Sequence, residues 1–299
     1  ITAVSPARDV GTNSSMPTVD ITEKTRGSSG TNTGSAYDIG CYENTCNASG
    51  GPYYVNDASR TGDTYTSAIG SNSNSGSSSA PFLTLKKAID QCGCGGTTIY
   101  VDAGTYTDDD LVVSTIATVG SPMIIQGASK SLTIFDGDAA SNGLGERFMS
   151  ITTNATNVTI SDMTIQDMGG TGFTSNGAGI NVTTSGTVTL QDIHFKNCDL
   201  VSTSTNGGGV YLSGGGTTSV DRCTFSLNDE HSSSSNGASI YVADGTRTIQ
   251  NGLFYDNATY ESSAGNIYIV SGTNKVYNCT FTENTASGAS YTGEVYLAG

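Results

Sequence analysis

The sequence predicts an all-β fold, a right-handed parallel β-helix in which one chain winds into stacked coils. The first observation is a unit repeated over residues 178–299. It reads Gly179-Ile180-Asn181-Val182, Gly209-Val210-Tyr211-Leu212, Ser239-Ile240-Tyr241-Val242, Asn266-Ile267-Tyr268-Ile269 and Glu294-Val295-Tyr296-Leu297. The lead aliphatics Ile180, Val210, Ile240, Ile267 and Val295 stand 30, 30, 27 and 28 residues apart. The second is a following strand in each unit, closing on Phe195, Phe225, Phe254 and Phe281, with Leu190/Ile193, Val220/Cys223, Ile249 and Val276/Cys279 in matching places ahead of them. The third is that these pieces are short, alternate in polarity and are separated by Gly, Ser, Asn and Thr, the pattern of strands and turns. Self-similarity at this period marks a solenoid, whose units bury their apolar side only by stacking. Each coil should rise about 4.8 Å, and the crossover rule sets the right hand.

Taken in order, residues 1–44 form a first unit that does not read as the start of a fold. Ser5-Pro6-Ala7-Arg8-Asp9-Val10-Gly11 leads to Tyr37-Asp38-Ile39-Gly40-Cys41-Tyr42-Glu43. These two segments resemble the closing module of secreted bacterial and archaeal β-helix proteins of the choice-of-anchor Q group. There an SPAxDxG segment precedes DIGAYE, after the last coils; Cys41 stands where that pattern has Ala.

Residues 45–106 form an opening and capping unit. Tyr53-Tyr54-Val55 is followed by a Gly/Ser/Asn loop, by Ala80-Pro81-Phe82-Leu83-Thr84-Leu85-Lys86-Lys87-Ala88-Ile89, and then by Thr98-Ile99-Tyr100-Val101 and Gly104-Thr105-Tyr106. This run resembles the opening module shared with β-helix polysaccharide lyases. Leu83, Leu85, Ala88 and Ile89 are spaced for one face of a short helix near residues 82–91. Such a helix covers a coil edge that would otherwise be open to pairing. Lys86 and Lys87 are then solvated.

Coils fill residues 107–299, through Met123-Ile124-Ile125, Leu132-Thr133-Ile134-Phe135, Phe148-Met149-Ser150-Ile151 and Val158-Thr159-Ile160. The finishing motif therefore precedes the opening one. Joining Gly299 to Ile1 gives Val295-Tyr296-Leu297-Ala298-Gly299-Ile1-Thr2-Ala3-Val4, a continuous rung. Leu297 to Val4 is six steps, against seven or eight between equivalent residues in the repeats. The order is that of a circular permutation. Residues 1–44 would complete a preceding copy by strand addition, or the chain is one period of a tandem array; both give head-to-tail, non-closing contacts. The alternative is that residues 1–44 fold back on their own helix. The expected interface comprises Ile1, Val4, Pro6, Asp38, Ile39, Tyr42, Val295, Tyr296 and Leu297.

Composition narrows the partners. The 299 residues carry a net charge of −15, with six Lys and six Arg. Nucleic acid is excluded as an expected partner because it needs a basic patch, and a polyanionic sugar would need bridging cations. No apolar run reaches membrane-spanning length, and Ile1 does not open a signal peptide. The expectation is a processed, extracellular or cell-surface segment. Of seven cysteines, Cys41, Cys46, Cys92 and Cys94 are disulfide candidates, since zinc lacks a close set of four ligands. Cys223 and Cys279 share a core column two rungs apart, too far to bridge; Cys198 has no assigned role. Sequons at Asn13, Asn47, Asn154, Asn157, Asn181, Asn257 and Asn278 are candidate glycan acceptors.

The candidate chemistry is sparse. Tyr211, Tyr241, Tyr268 and Tyr296 form an outward aromatic ladder, suited to binding glycans or, more simply, to stabilising adjacent coils. Asn228, Asn257 and Asn284 form a structural turn ladder. Asp192 and Arg222 should pair at the surface. Lys196, Arg222, Arg247 and Lys275 lack the flanking carboxylates a lyase needs, Asp192 and Asp221 are out of phase for a hydrolase, and His194 has no Ser or Cys nucleophile around it. Asp108, Asp109, Asp110, Asp136 and Asp138 are weak candidates for calcium, the one cofactor the sequence admits. A flat Thr-x-Thr face for ice is interrupted by Arg247, Asn274 and Lys275. The expected function is therefore architectural: a non-enzymatic subunit or repeat of an extracellular fibre, with copies of itself as partners. A polysaccharide lyase or hydrolase and a glycan-binding adhesin are the alternatives.

Overall fold

The structure is a computed structural model. It describes residues 51–92, 97–113, 122–137, 146–152, 155–170, 172–201, 205–231, 235–260, 263–287, 291–292 and 294–298. Strands stack in parallel along one axis. The main sheet runs through Tyr53–Val55, Thr98–Val101, Met123–Gly127, Asn157–Gln166, Thr187–Lys196, Thr217–Asp221, Thr246–Gln250 and Thr273–Tyr277. A second sheet carries Leu111–Val113, Met149–Ile151, Ile180–Val182, Val210–Leu212, Ile240–Val242, Ile267–Ile269 and Val295–Leu297. The predicted all-β solenoid is thus the observed fold.

The register is the one the repeats imply. Ile180, Val210, Ile240, Ile267 and Val295 are successive Cα partners. Phe195, Phe225, Phe254 and Phe281 follow one another in the adjoining column, with ring centroids 4.9, 4.8 and 4.7 Å apart. Parallel pairing stacks like on like, so one apolar residue per turn becomes a continuous interior column.

Two corners hold that register. Asp162, Asp192, Arg222, Asn251 and Asn278 have φ between 51° and 61°, and Asp167, Asn197, Leu227, Asp256 and Glu283 repeat this at the next corner. Positive φ is tolerated by Asn and Asp and costs other residues roughly 1 kcal/mol. Arg222 and Leu227 accept it because rungs on both sides impose the bend. Beside the second corner, Asn228 and Asn257 are buried. The Asn228 Nδ2 donates to Asn257 Oδ1 (2.9 Å), and the Asn257 Nδ2 to Asn284 Oδ1 (3.0 Å). The side chains also satisfy Phe195, Phe225 and Phe254 carbonyls. Cys198 occupies the same column one rung earlier, its N–H donating to Asn228 Oδ1. A second ladder, absent from the sequence expectations, links Asn176, Asn206 and Asn236.

The first rung is sealed. The Tyr54 N–H donates to Gly76 O, and the Phe82 N–H donates back to Tyr54 O (2.9 and 2.8 Å). The capping helix spans Leu85–Cys92, later than the predicted start. Thr84 Oγ1 accepts from the Lys87 N–H, while Asp108 accepts from the Leu85 and Lys86 N–H groups. Leu83 therefore precedes the helix and is exposed, contrary to its expected inward place. Asp102, fully buried, accepts hydrogen bonds from Thr64, Tyr65, Thr66 and Ala103 N–H groups and from the Thr66 hydroxyl, which fastens the loop before the helix. Gly70 has no room for a side chain there: a Cβ would lie 1.9 Å from Asn56 O.

Candidate functional site

The richest polar cluster lies on the outer face of the main sheet. Parallel pairing sets Gln191 beside Asp221, so Asp192 and Asp221 are offset by one residue. The positive-φ corner nevertheless lets Arg222 reach both. Its guanidinium donates to the Asp192 carboxylate at 2.9–3.2 Å and to Asp221 Oδ2. The expected Asp192–Arg222 pair forms, and the expectation that Arg222 lacks flanking carboxylates is corrected. Burial acts upward on the Asp192 carboxyl, but hydrogen bonds from Arg222 and Gln191 hold it below the usual range. An acid catalyst needs the opposite displacement.

His194 adjoins this cluster. Its Nε2 lies 2.8 Å from Ser226 Oγ, a contact across the ladder that sequence spacing did not reveal, because Thr224 is the direct partner. Burial first, then Lys196 and Lys130, lower the imidazole pKa to about 4, so the ring is neutral at pH 7. Ser226 is 1% exposed. A hydroxyl so covered cannot meet a substrate as a nucleophile. Lys130, from the turn before Thr133–Asp136, lies over this face and donates to Arg222 O at 3.1 Å.

Arg247 is no surface base. It is 1% exposed and in register with Thr218 and Asn274 on an inward column. Its guanidinium donates to Asp244 O, Gly216 O, Thr218 Oγ1 and Ser213 O at 2.7–3.0 Å, closing a corner from within. Arg247 and Asn274 therefore do not interrupt the outward Thr column, which runs Thr159, Thr189, Ser219 and Thr248 before Lys275.

The tyrosine ladder forms as expected. Ring centroids of Tyr211, Tyr241, Tyr268 and Tyr296 are separated by 5.3, 5.3 and 4.8 Å, with interplanar angles of 7°, 3° and 19°. The rings stack on one another, so the faces a sugar would use are occupied by neighbouring tyrosines. Burial raises the Tyr211 and Tyr241 pKa values.

The remaining candidates disperse. Asp108 is engaged by the helix N-terminus. Burial and a hydrogen bond with Glu146 push Asp109 up to about 6. Asp136 accepts from Gln166, one rung away, and Asp138 lies outside the described residues. Among the described residues no group of three or more His, Cys, Asp or Glu could hold a metal ion. Cys92, expected in a disulfide, is a free buried thiol bonded to Ala88 O, and burial raises its pKa to about 12. Cys41, Cys46 and Cys94 lie outside the described residues. So do Asn13, Asn47 and Asn154. Asn257 is closed to glycosylation by its ladder bonds, Asn181 is half-buried below Tyr211, and Asn157 and Asn278 are exposed. No described helix is long and apolar enough to cross a membrane.

The other distinctive place is the last described rung. Val276, Cys279, Phe281 and Val295 are only partly buried, whereas Ile249, Phe254 and Ile267 one rung earlier are at most 1% exposed. Leu297 is 68% exposed. Glu294 accepts from Asn266 (2.6 Å) and Asn284 (3.3 Å). Of the expected interface, Val295, Tyr296 and Leu297 are here; Ile1, Val4, Pro6, Asp38, Ile39 and Tyr42 lie outside the described residues.

A family model described as a right-handed beta helix region matches residues 93–295. No curated protein and no solved structure matches the chain. The matched span takes in the stacked columns from the second rung to the last, and the chain belongs to the right-handed β-helix family.

Proposed function

We propose that this chain is an architectural element of an extracellular or cell-surface fibre, extended head to tail through the ends of its β-helix. The observation that carries the reading is the asymmetry of the two ends. The first rung is hydrogen-bonded to residues 76–82 and covered by the helix. The last described rung instead offers core-type side chains in register for another coil. An edge of this kind is an aggregation hazard unless something pairs with it. Side chains that in other settings do chemistry are here spent on structure: Arg222 on two carboxylates, Arg247 on backbone carbonyls, Ser226 beneath His194.

Electron microscopy of native material, with sedimentation at matched concentration, tests this. Unbranched fibres one β-helix wide are expected. Dispersed monomers at native concentration overturn the reading. Turnover of a polysaccharide that is lost in Asp192→Asn would replace it with a carbohydrate-active one.

A further inference from the structure

We infer that the outer face of the main sheet binds ice, through two columns of threonine side chains that the rungs hold in register. The expected interruption of this face falls away because Arg247 and Asn274 lie on an inward column. What remains outward is three complete ranks, Thr187/Thr189, Thr217/Ser219 and Thr246/Thr248, stacked as successive Cα partners. Asn157/Thr159 stands one rung before them and Thr273/Lys275 one rung after, so each column gains one further hydroxyl. Ranks repeat about every 4.8 Å along the axis, and the two columns, two residues apart on each strand, lie about 6.6 Å from each other. Among the described residues, none of these hydroxyls has a protein hydrogen-bond partner. Threonines elsewhere are engaged: Thr164, Thr183 and Thr184 donate to backbone carbonyls of neighbouring rungs.

The geometry selects the occupant. A ligand that meets every hydroxyl must itself repeat at both spacings, and water oxygens on flat faces of hexagonal ice repeat at distances close to these. It must donate and accept at each point, as a hydroxyl does, and water does both. It must also be uncharged, since the three complete ranks carry no charged side chain on a chain of net charge −15. A polysaccharide laid flat would call instead for open aromatic faces, which these ranks lack. Threonine is stiff at χ1, so its hydroxyl and methyl are set before contact and little ordering remains to oppose binding. The margins of the face are clear. A glycine precedes each complete rank, and a Cβ on Gly216 would lie 2.3 Å from Gly186 O, so the turn packs directly on the rung below and places no side chain at the edge. On the other side, Gln191 and Asp221 are drawn to the corner, Gln191 donating to Asp192 and Asp221 accepting from Arg222 and Asn251. Each contact with water is weak, but one rigid sheet makes them together, and simultaneous contacts multiply.

The test grows ice slowly into a dilute solution of the full chain and assays protein in the melted ice and in the remaining liquid. Enrichment in the ice is expected, where an ordinary solute is excluded. Thr217→Tyr and Thr248→Tyr each stand a ring on one column at an outward position that accepts an aromatic residue without loss of the strand. Each should lower uptake roughly tenfold by holding neighbouring ranks off the lattice, with the far-UV circular dichroism unchanged. Val112→Tyr, at an exposed position on the second sheet, should leave uptake as it is. Exclusion of the unsubstituted chain from ice overturns the inference. Equal uptake of the Thr217 and Thr248 variants, or an equal loss in Val112→Tyr, overturns it as well, since either places the contact off this face. The fibre reading is decided separately by sedimentation and does not depend on the result.

Discussion

At the first rung Tyr53–Val55 has its outer edge taken by residues 76–82, its interior covered by Phe82 and Leu85, and its loop pinned by Asp102. At the last, Thr273–Tyr277 has one hydrogen-bonded neighbour among the described residues, and Val276 and Phe281 are partly buried. Both ends use the same columns and similar residue types. Among the described residues, they differ in whether a lid is present. In a solenoid, burial is a property of having a neighbour on each side, so an identical side chain contributes differently by position.

Removing a large core ring at each end probes that difference most strongly. Phe82→Ala should destabilise the fold by about 3–5 kcal/mol, the usual range for a fully buried ring. Phe281→Ala in the unassembled chain should cost only about 1–2 kcal/mol, because part of its surface is already wet. Denaturant titration measures both. If Phe281 costs as much as Phe82 before assembly, the last rung is already covered; if the cost rises on assembly, the covering is acquired there.

A smaller effect separates interior from end within one ladder. Asn257→Ala strips bonds to rungs on both sides and should cost about 2–3 kcal/mol. Asn284→Ala loses one neighbouring Asn and, beyond it, only a 3.3 Å bond to the exposed Glu294, and should cost about 1 kcal/mol. Equal losses would mean that the ladder does not stop at Asn284.

A pH slope from an interior rung sharpens the comparison further. His194 is held neutral, with its pKa lowered to about 4, while the unfolded value is near 6.5. As pH falls from about 6.5 towards 4, the unfolded chain binds a proton that the folded chain refuses, so stability is lost across that window. His194→Gln should flatten the midpoint-versus-pH curve there. Asp109 and Asp199, both raised to about 6, are common to the two proteins, so the difference between the curves isolates His194. An unchanged slope would show that the imidazole charges freely in place.

The columns of Ile, Val, Phe, Tyr and Asn were legible because parallel stacking converts a repeat spacing directly into contact. Arg247 was misjudged for a related reason. Alternation marks its position as inward, but its charge suggests the surface; only the ring of Gly216, Ser213 and Asp244 carbonyls makes an interior guanidinium tolerable. The His194–Ser226 contact was invisible because it runs diagonally between rungs. Asp108 looked like part of an acidic loop, and its bonds to the helix N-terminus depend on chain segments more than twenty residues apart meeting.

By itself the sequence determined the solenoid, the register of its rungs and which columns face inward, since all three follow from period and alternation. Tertiary structure decided which polar groups are already engaged and how deeply the side chains of the first and last described rungs are buried. Those depend on turns that reverse φ, on diagonal reach between rungs and on whether a neighbour exists to cover a side chain, and none of these is a local property of the chain.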